Sequence, residues 1–164
     1  MTTDFATYIA GLPRILAGAN MLFRSADGRV LLVEPNYRET WTLPGGTIES
    51  DENETPRQAA RRESLEEVGL DVEPGALLVM GWTTAGPPRP PSVTFLFDGG
   101  VLTDEQIASI RVQESELDSW KLVDPAEVDR YLTPHGARSV RAAVEGLASG
   151  RTPVELVDGL PGGA

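Results

Sequence analysis

The 164-residue chain has no cysteine, one histidine and one lysine. Without cysteine there can be no disulfide, thiolate zinc site or cysteine nucleophile. The single histidine, His135, argues against a His-rich metal centre and against a Ser–His triad. Set in Thr133-Pro134-His135-Gly136, it reads as a surface residue at a turn or helix start. Lys121 is the only lysine, so contacts to an anionic ligand fall mainly to arginine, whose planar fork suits them. No apolar run approaches the roughly 18 residues of a membrane span, and the first residues do not form a basic region followed by an apolar leader. A cytoplasmic protein without a membrane partner is expected. The formal net charge of −11 leaves no basic surface for non-specific nucleic-acid binding.

What is present is a chain long enough for one domain with a real core, 40% apolar, with its apolar residues in short runs. Ile15 to Phe23 reads as a strand, Asp27-Gly28 as a hairpin turn and Val30 to Val33 as a buried return strand. Trp41-Thr42-Leu43 is a short strand before Pro44-Gly45-Gly46. Thr55 as cap, Pro56 at the first helical position and Gln58 reaching back predict a helix over Pro56–Val68, stopped by Gly69. On that helix Ala60, Ser64 and Val68 fall on one side. Leu77 to Thr84 and Val93 to Phe97 read as strands joined by the proline-rich loop Gly86–Pro91. Glu116 to Val123 is a further strand, Asp124-Pro125 a short helix start running to Leu132, and Arg138 to Leu147 an amphipathic helix. Strands and helices interleave with hairpins, which predicts an α/β protein with a mixed sheet and helices on both faces. The domain is placed at 1–150. The segment 151–164 is expected to be a tail, either frayed or docked as a strand on a partner.

The most informative stretch is Trp41 to Leu70. Glu63, Glu66 and Glu67 stand at i, i+3 and i+4, so their carboxylates share one side of the helix, where like charges repel. Seven of the 25 acidic residues lie between Glu49 and Glu67, so part of the acidity is local. A hard divalent cation would turn that repulsion into binding.

These residues resemble the signature of the Nudix hydrolase family: a glycine, a glutamate and then Arg-Glu-x-x-Glu-Glu-x-Gly. Glu54, Arg62, Glu63, Glu66, Glu67 and Gly69 match it, with seven residues between Glu54 and Arg62. The loop from Gly46 to Glu54 is two residues longer than the family spacing, Asn53 replaces a glycine and Ser64 an apolar residue. Ser50-Asp51-Glu52 is expected to bulge without displacing Gly45.

The resemblance implies an α/β/α sandwich. It also implies hydrolysis of a diphosphate linkage in a nucleotide, nucleotide sugar or ADP-ribose type of substrate, with Mg²⁺, or Mn²⁺ in its place. The implied metal ligands are Glu63, Glu66, Glu67 and the Gly45 carbonyl, with Glu63 as the first choice of base. Arg62 would fix a neighbouring carboxylate, and Glu54 would support the loop. Glu116 or Glu114 would join from a later loop, and Glu49 would be an outer ligand. Arg38, Arg89 and Trp41 are the candidate substrate contacts, and Tyr37 and Trp82 are further aromatic candidates. The partner is a small phosphorylated molecule, and a homodimer is the default assembly. The alternative is a Nudix-fold module that binds a nucleotide without turnover. An isopentenyl diphosphate isomerase or a zinc-bearing NADH diphosphatase is disfavoured because both resemblances call for cysteine.

Overall fold

The computed structural model describes residues 4–162. In chain order its elements are α1 (Phe5–Ala10), β1 (Leu16–Arg24), β2 (Val30–Pro35), β3 (Gly45–Thr47), α2 (Pro56–Val68), β4 (Leu77–Thr83) and β5 (Ser92–Val101). There follow α3 (Asp104–Ser109), β6 (Leu117–Val123), α4 (Pro134–Ser149), β7 (Val154–Val157) and β8 (Leu160–Pro161). The strands form one sheet in the order β6-β2-β1-β5-β4-β7-β8, with β3 paired to β1. It is mixed: β1 runs parallel to β5 and β4 parallel to β7, while the other pairs are antiparallel.

Both faces are covered because the strands are apolar at successive positions, not at alternate ones. Met21 and Phe23 of β1, with Leu31 and Val33 of β2, pack with Ala59, Ala60 and Val68 of α2. Leu22, Val30 and Leu32 point the other way and pack with Ala137, Val140 and Ala143 of α4. The result is an α/β/α sandwich, with α2 on one side of the sheet and α4 on the other.

Local chemistry sets the ends of α2. The Thr55 side chain accepts from the Gln58 N–H, the Gln58 side chain accepts from the Thr55 N–H, Pro56 opens the helix, and Gly69 closes it in the left-handed region at φ 75°. Two expectations give way. The stretch after Asp124 is not a helix: it holds one 3₁₀ turn at Val128–Arg130 before Thr133 caps α4. Pro134 opens α4 and biases Thr133 to extended backbone, so the single turn at Val128–Arg130 is cut off from α4. The segment from 151 is not a frayed or partner-docked tail, for β7 pairs in parallel with β4 of the same chain. Leu156 is buried against the α4 side of the sheet, and that burial holds the short strand in place.

Candidate active site

The site is built where α2 passes the Gly45-Gly46 turn. β3 pairs with β1 with Gly45 opposite Asn20 and Gly46 opposite Ala19. Gly45 sits at φ 142°, where a side chain would strike the Ala19 carbonyl and Asn20. A Cβ on Gly46 would run into the Glu63 carboxylate. Gly46 therefore clears the space that the Glu63 carboxylate fills, and Gly45 lets β3 lie close against β1.

The three glutamates are not equivalent. Glu67 is buried, and one of its carboxylate oxygens accepts from the Gly45 N–H at 2.8 Å. Glu63 is largely covered, whereas the Glu66 side chain is half exposed. Arg62 organises the group. It forms a bidentate pair with Glu54 at 2.7 and 3.0 Å, reaches Glu63 at 2.9 Å and Glu66 at 3.2 Å, and donates to the Thr47 carbonyl at 3.2 Å. Glu54 also accepts from the Glu49 N–H at 2.8 Å, closing the lengthened loop. That loop is one 3₁₀ turn, Ser50–Glu52, followed by Asn53 in the left-handed region at φ 61°. Asn tolerates this conformation better than most residues, which is why it can stand in for glycine there.

The electrostatics follow the geometry. Hydrogen bonding to Arg62 holds the Glu54 carboxyl below its ordinary range, and the same pairing raises the Arg62 pKa. Burial pushes Glu63 up, opposed by Arg62 and reinforced by the charges of Glu66 and Glu116. Burial pushes Glu67 up to about 7, with Glu63 and Glu116 adding to the shift and the Gly45 N–H and Arg38 opposing it. Glu116 is brought in by a turn anchored on α2: the Gln113 N–H donates to the Glu67 carbonyl at 3.0 Å, and the Glu116 N–H donates to Gln113 at 2.9 Å. Glu114 stands exposed on that turn and offers its carbonyl to Asn36. Glu49 is exposed beside the 3₁₀ turn.

On the α4 side of the sheet lies a cavity of about 170 Å³, lined by Asn20, Arg38, Trp41, Thr94 and His135 among others; Trp82 of β4 borders it, although the β4 register sets Trp82 on the α2 face of the sheet. Asn20 and Arg38 connect the cavity to the carboxylates, Asn20 by its register with Gly45 and Arg38 by its field on Glu67. Trp41 packs edge-on against Tyr131, ring centres 5.4 Å apart, and the Lys121 ammonium lies 5.5 Å from the Trp41 ring. Tyr37 is exposed and lies beneath the Arg38 guanidinium. Arg89 is not part of the lining; it closes a two-bond turn with Gly86 at the tip of the β4–β5 hairpin. The cavity residues Asn20, Thr94 and Ser139 carry no motif and are found only once the sheet register is known.

A sandwich with Gly45-Gly46 set against a capped Arg-Glu-x-x-Glu-Glu helix defines a class, and comparison with known proteins agrees. The NUDIX domain model matches residues 15–143, and the chain belongs to the Nudix hydrolase family. Among curated relatives it is similar to the phosphatase NudJ of Escherichia coli K12, 31% identical over 137 residues, covering 80% of this chain and 84% of that one. Among solved structures it is similar to a MutT protein from Methanosarcina mazei, at TM-score 0.67 and 20% identity, covering 84% of this chain and 99% of that one. It is also similar to the NUDIX domain of Shewanella oneidensis NrtR complexed with ADP ribose, at TM-score 0.69 and 20% identity, covering 88% and 99%. No helix among the described residues is long and apolar enough to cross a membrane.

Proposed function

We propose that this Nudix-type hydrolase cleaves a diphosphate linkage in a small nucleoside diphosphate derivative, using Mg²⁺ with Mn²⁺ as a substitute. The observation that carries the reading is Glu67. This carboxylate is buried and gains further unfavourable charge from Glu63 and Glu116, yet its one protein hydrogen-bond donor among the described residues is the Gly45 N–H. A buried carboxylate set among others is costly unless a cation joins them.

The donors fit such an ion in kind, because Glu63, Glu66, Glu67, Glu116 and the Gly45 carbonyl are all hard oxygen ligands. They are not gathered for it: no three acidic side chains among the described residues converge as they stand. Arg62 accounts for part of this, since it holds Glu63 and Glu66 to itself. When bound, a divalent cation neutralises charge that develops on the phosphoryl oxygens. The chain's own residues do the rest. Arg62 restrains Glu63, which we assign as the base toward the attacking water, and Glu54 secures the loop. Arg38 meets the substrate's phosphates at the cavity, and Trp41 forms a wall for its base or sugar. Arg89 is assigned an outer contact with the substrate. A cytoplasmic setting suits a soluble nucleotide substrate.

The second reading, binding without turnover, is favoured by the hold of Arg62 on two of the carboxylates. Both NudJ, named a phosphatase, and the ADP ribose held by the NrtR domain guide the choice of test. A panel of nucleoside triphosphates, nucleotide sugars, dinucleoside polyphosphates and ADP-ribose is incubated with Mg²⁺ or Mn²⁺, and products are resolved by chromatography. Metal-dependent release of two phosphate-bearing fragments is expected. Saturable binding without product on every compound would replace hydrolysis by sensing.

A further inference from the structure

Among the described residues, two apolar surfaces are exposed without a partner. The first is α1. The Asp4 side chain caps it, and it buries none of its own residues. Phe5, Tyr8, Ile9 and Leu12 recur at i, i+3, i+4 and i+7, the spacing of a single helical stripe carried into the following turn. They are 77%, 58%, 45% and 41% exposed. The second lies on the sheet. Trp82 of β4 stands in register with Val157 of β7 on one side and Val93 of β5 on the other, and Met80 follows two residues along on the same face. Met80 pairs with Phe95, which packs into the α2 cluster, so this is the α2 face of the sheet. The helix α2, however, packs mainly on β1 and β3, at the other end of this face. Met80, Trp82 and Val157 are consequently 37%, 38% and 36% exposed.

We propose that these surfaces cover each other between two copies of the chain: α1 of one copy lies across the Met80–Trp82–Val157 strip of its partner, and the reverse. A two-fold pair of this kind is closed, because each copy supplies both the helix and the strip. The dimensions agree. The helical stripe is roughly 10 Å long at 1.5 Å per residue. The row from Val93 of β5 through Trp82 to Val157 of β7 spans roughly 10 Å at about 4.8 Å per strand. The area is sufficient: with aromatic side chains of roughly 200 Å², reciprocal burial removes on the order of 1,300 Å², the lower end of what specific stable interfaces bury. The charge selects a protein partner over a lipid surface. The segment 4–13 carries Asp4 and no basic residue, and the chain as a whole is at −11. A helix that lies on an anionic membrane needs lysine or arginine along its polar side.

The test uses sedimentation velocity on the full chain at micromolar concentration, followed by disulfide trapping, which the cysteine-free sequence makes clean. Wild type is expected to sediment as a dimer, and Ile9→Asp as a monomer with unchanged circular dichroism. Tyr8→Cys protein mixed with Val157→Cys protein is expected to yield a covalent dimer on oxidation that neither protein forms alone. A monomeric wild type, a dimer that survives Ile9→Asp, or Tyr8→Cys linking to itself would each overturn the arrangement. So would a monomer that cosediments with phosphatidylcholine–phosphatidylserine vesicles through the same stripe. None of these readouts depends on hydrolysis, so the interface and the proposed activity fail separately.

Discussion

Replacing Glu67 by Gln should make the metal-free protein more stable while nearly abolishing metal-dependent hydrolysis. Burial raises the Glu67 pKa to about 7 from an ordinary 4.5. A group whose pKa rises on folding contributes its stability below the unfolded value and loses it as pH climbs through the folded value. The difference here amounts to about 3 kcal/mol once pH exceeds 7. Glutamine carries no charge at any pH, and its carbonyl oxygen can still accept from the Gly45 N–H. The variant therefore escapes the penalty without losing the contact. For a domain of this size about 3 kcal/mol corresponds to roughly 6–12 °C in Tm. Thermal melts in chelator from pH 5 to pH 9 measure it, with both proteins kept above the pI of about 4.5. The two melting temperatures should lie close together at pH 5 and separate steadily to pH 8. Adding Mg²⁺ should then raise the wild-type Tm at pH 8 and leave the variant nearly unmoved, because an ion bound only to the folded state stabilises it by mass action. Parallel wild-type and Gln curves across the whole range would refute the burial argument. Near wild-type turnover by the Gln variant would refute the ligand assignment, whatever the melts show.

Other perturbations test neighbouring parts of the same arrangement. Gly46→Ala pushes the Glu63 carboxylate aside and should lower kcat/KM by about a hundredfold, the scale of a misplacement near 1 Å; activity near wild type would mean that Glu63 does not work from beside Gly46. Arg62→Ala breaks a bidentate pair that is mostly shielded from water and leaves Glu54 uncompensated, at a cost of about 2 kcal/mol by urea unfolding at pH 7. Arg62 depresses the Glu54 pKa, so that stability is present above pH 4.5 and is lost as pH falls through the lowered value; the gap between wild type and Arg62→Ala should narrow in acid. Arg38→Ala should raise KM about tenfold with little change in kcat, the loss of one charge-assisted contact. Arg89→Ala, outside the cavity lining, should raise KM by about twofold at most, and an effect exceeding that of Arg38→Ala would place the hairpin tip on the substrate.

Legibility in this chain tracks how local the determining chemistry is. The limits of α2 can be read to the residue because Thr55, Pro56, Gln58 and Gly69 each act on backbone groups within one turn. Two short helices lie outside the sequence expectations; of these, α3 begins with Thr103 and Gln106 in the same reciprocal cap as α2, a signal present in the sequence. The signal for α1 was weaker, one Asp4 cap before six residues. The strand β7 is a different case. Four residues between a left-handed Gly150 and a Gly/Pro-rich end look like a tail. Only the parallel register with β4 and the burial of Leu156 under α4 make them part of the sheet. The site divides along the same line. The row of glutamates is a helical pattern, visible at i, i+3 and i+4. Their inequality is not, because Glu67 is buried against the Gly45 turn, 22 residues earlier in the chain, while Glu66 stays half exposed beside Arg62. Glu116 and Glu114 look alike in sequence; the turn that carries both is anchored by Gln113 on the Glu67 carbonyl, and of the two it is Glu116 whose charge acts on Glu63 and Glu67. The cavity depends on the least local features of all. The cavity draws Asn20, Arg38, Thr94 and Ser139 from four separate elements or loops, so no spacing in the sequence could have assembled it.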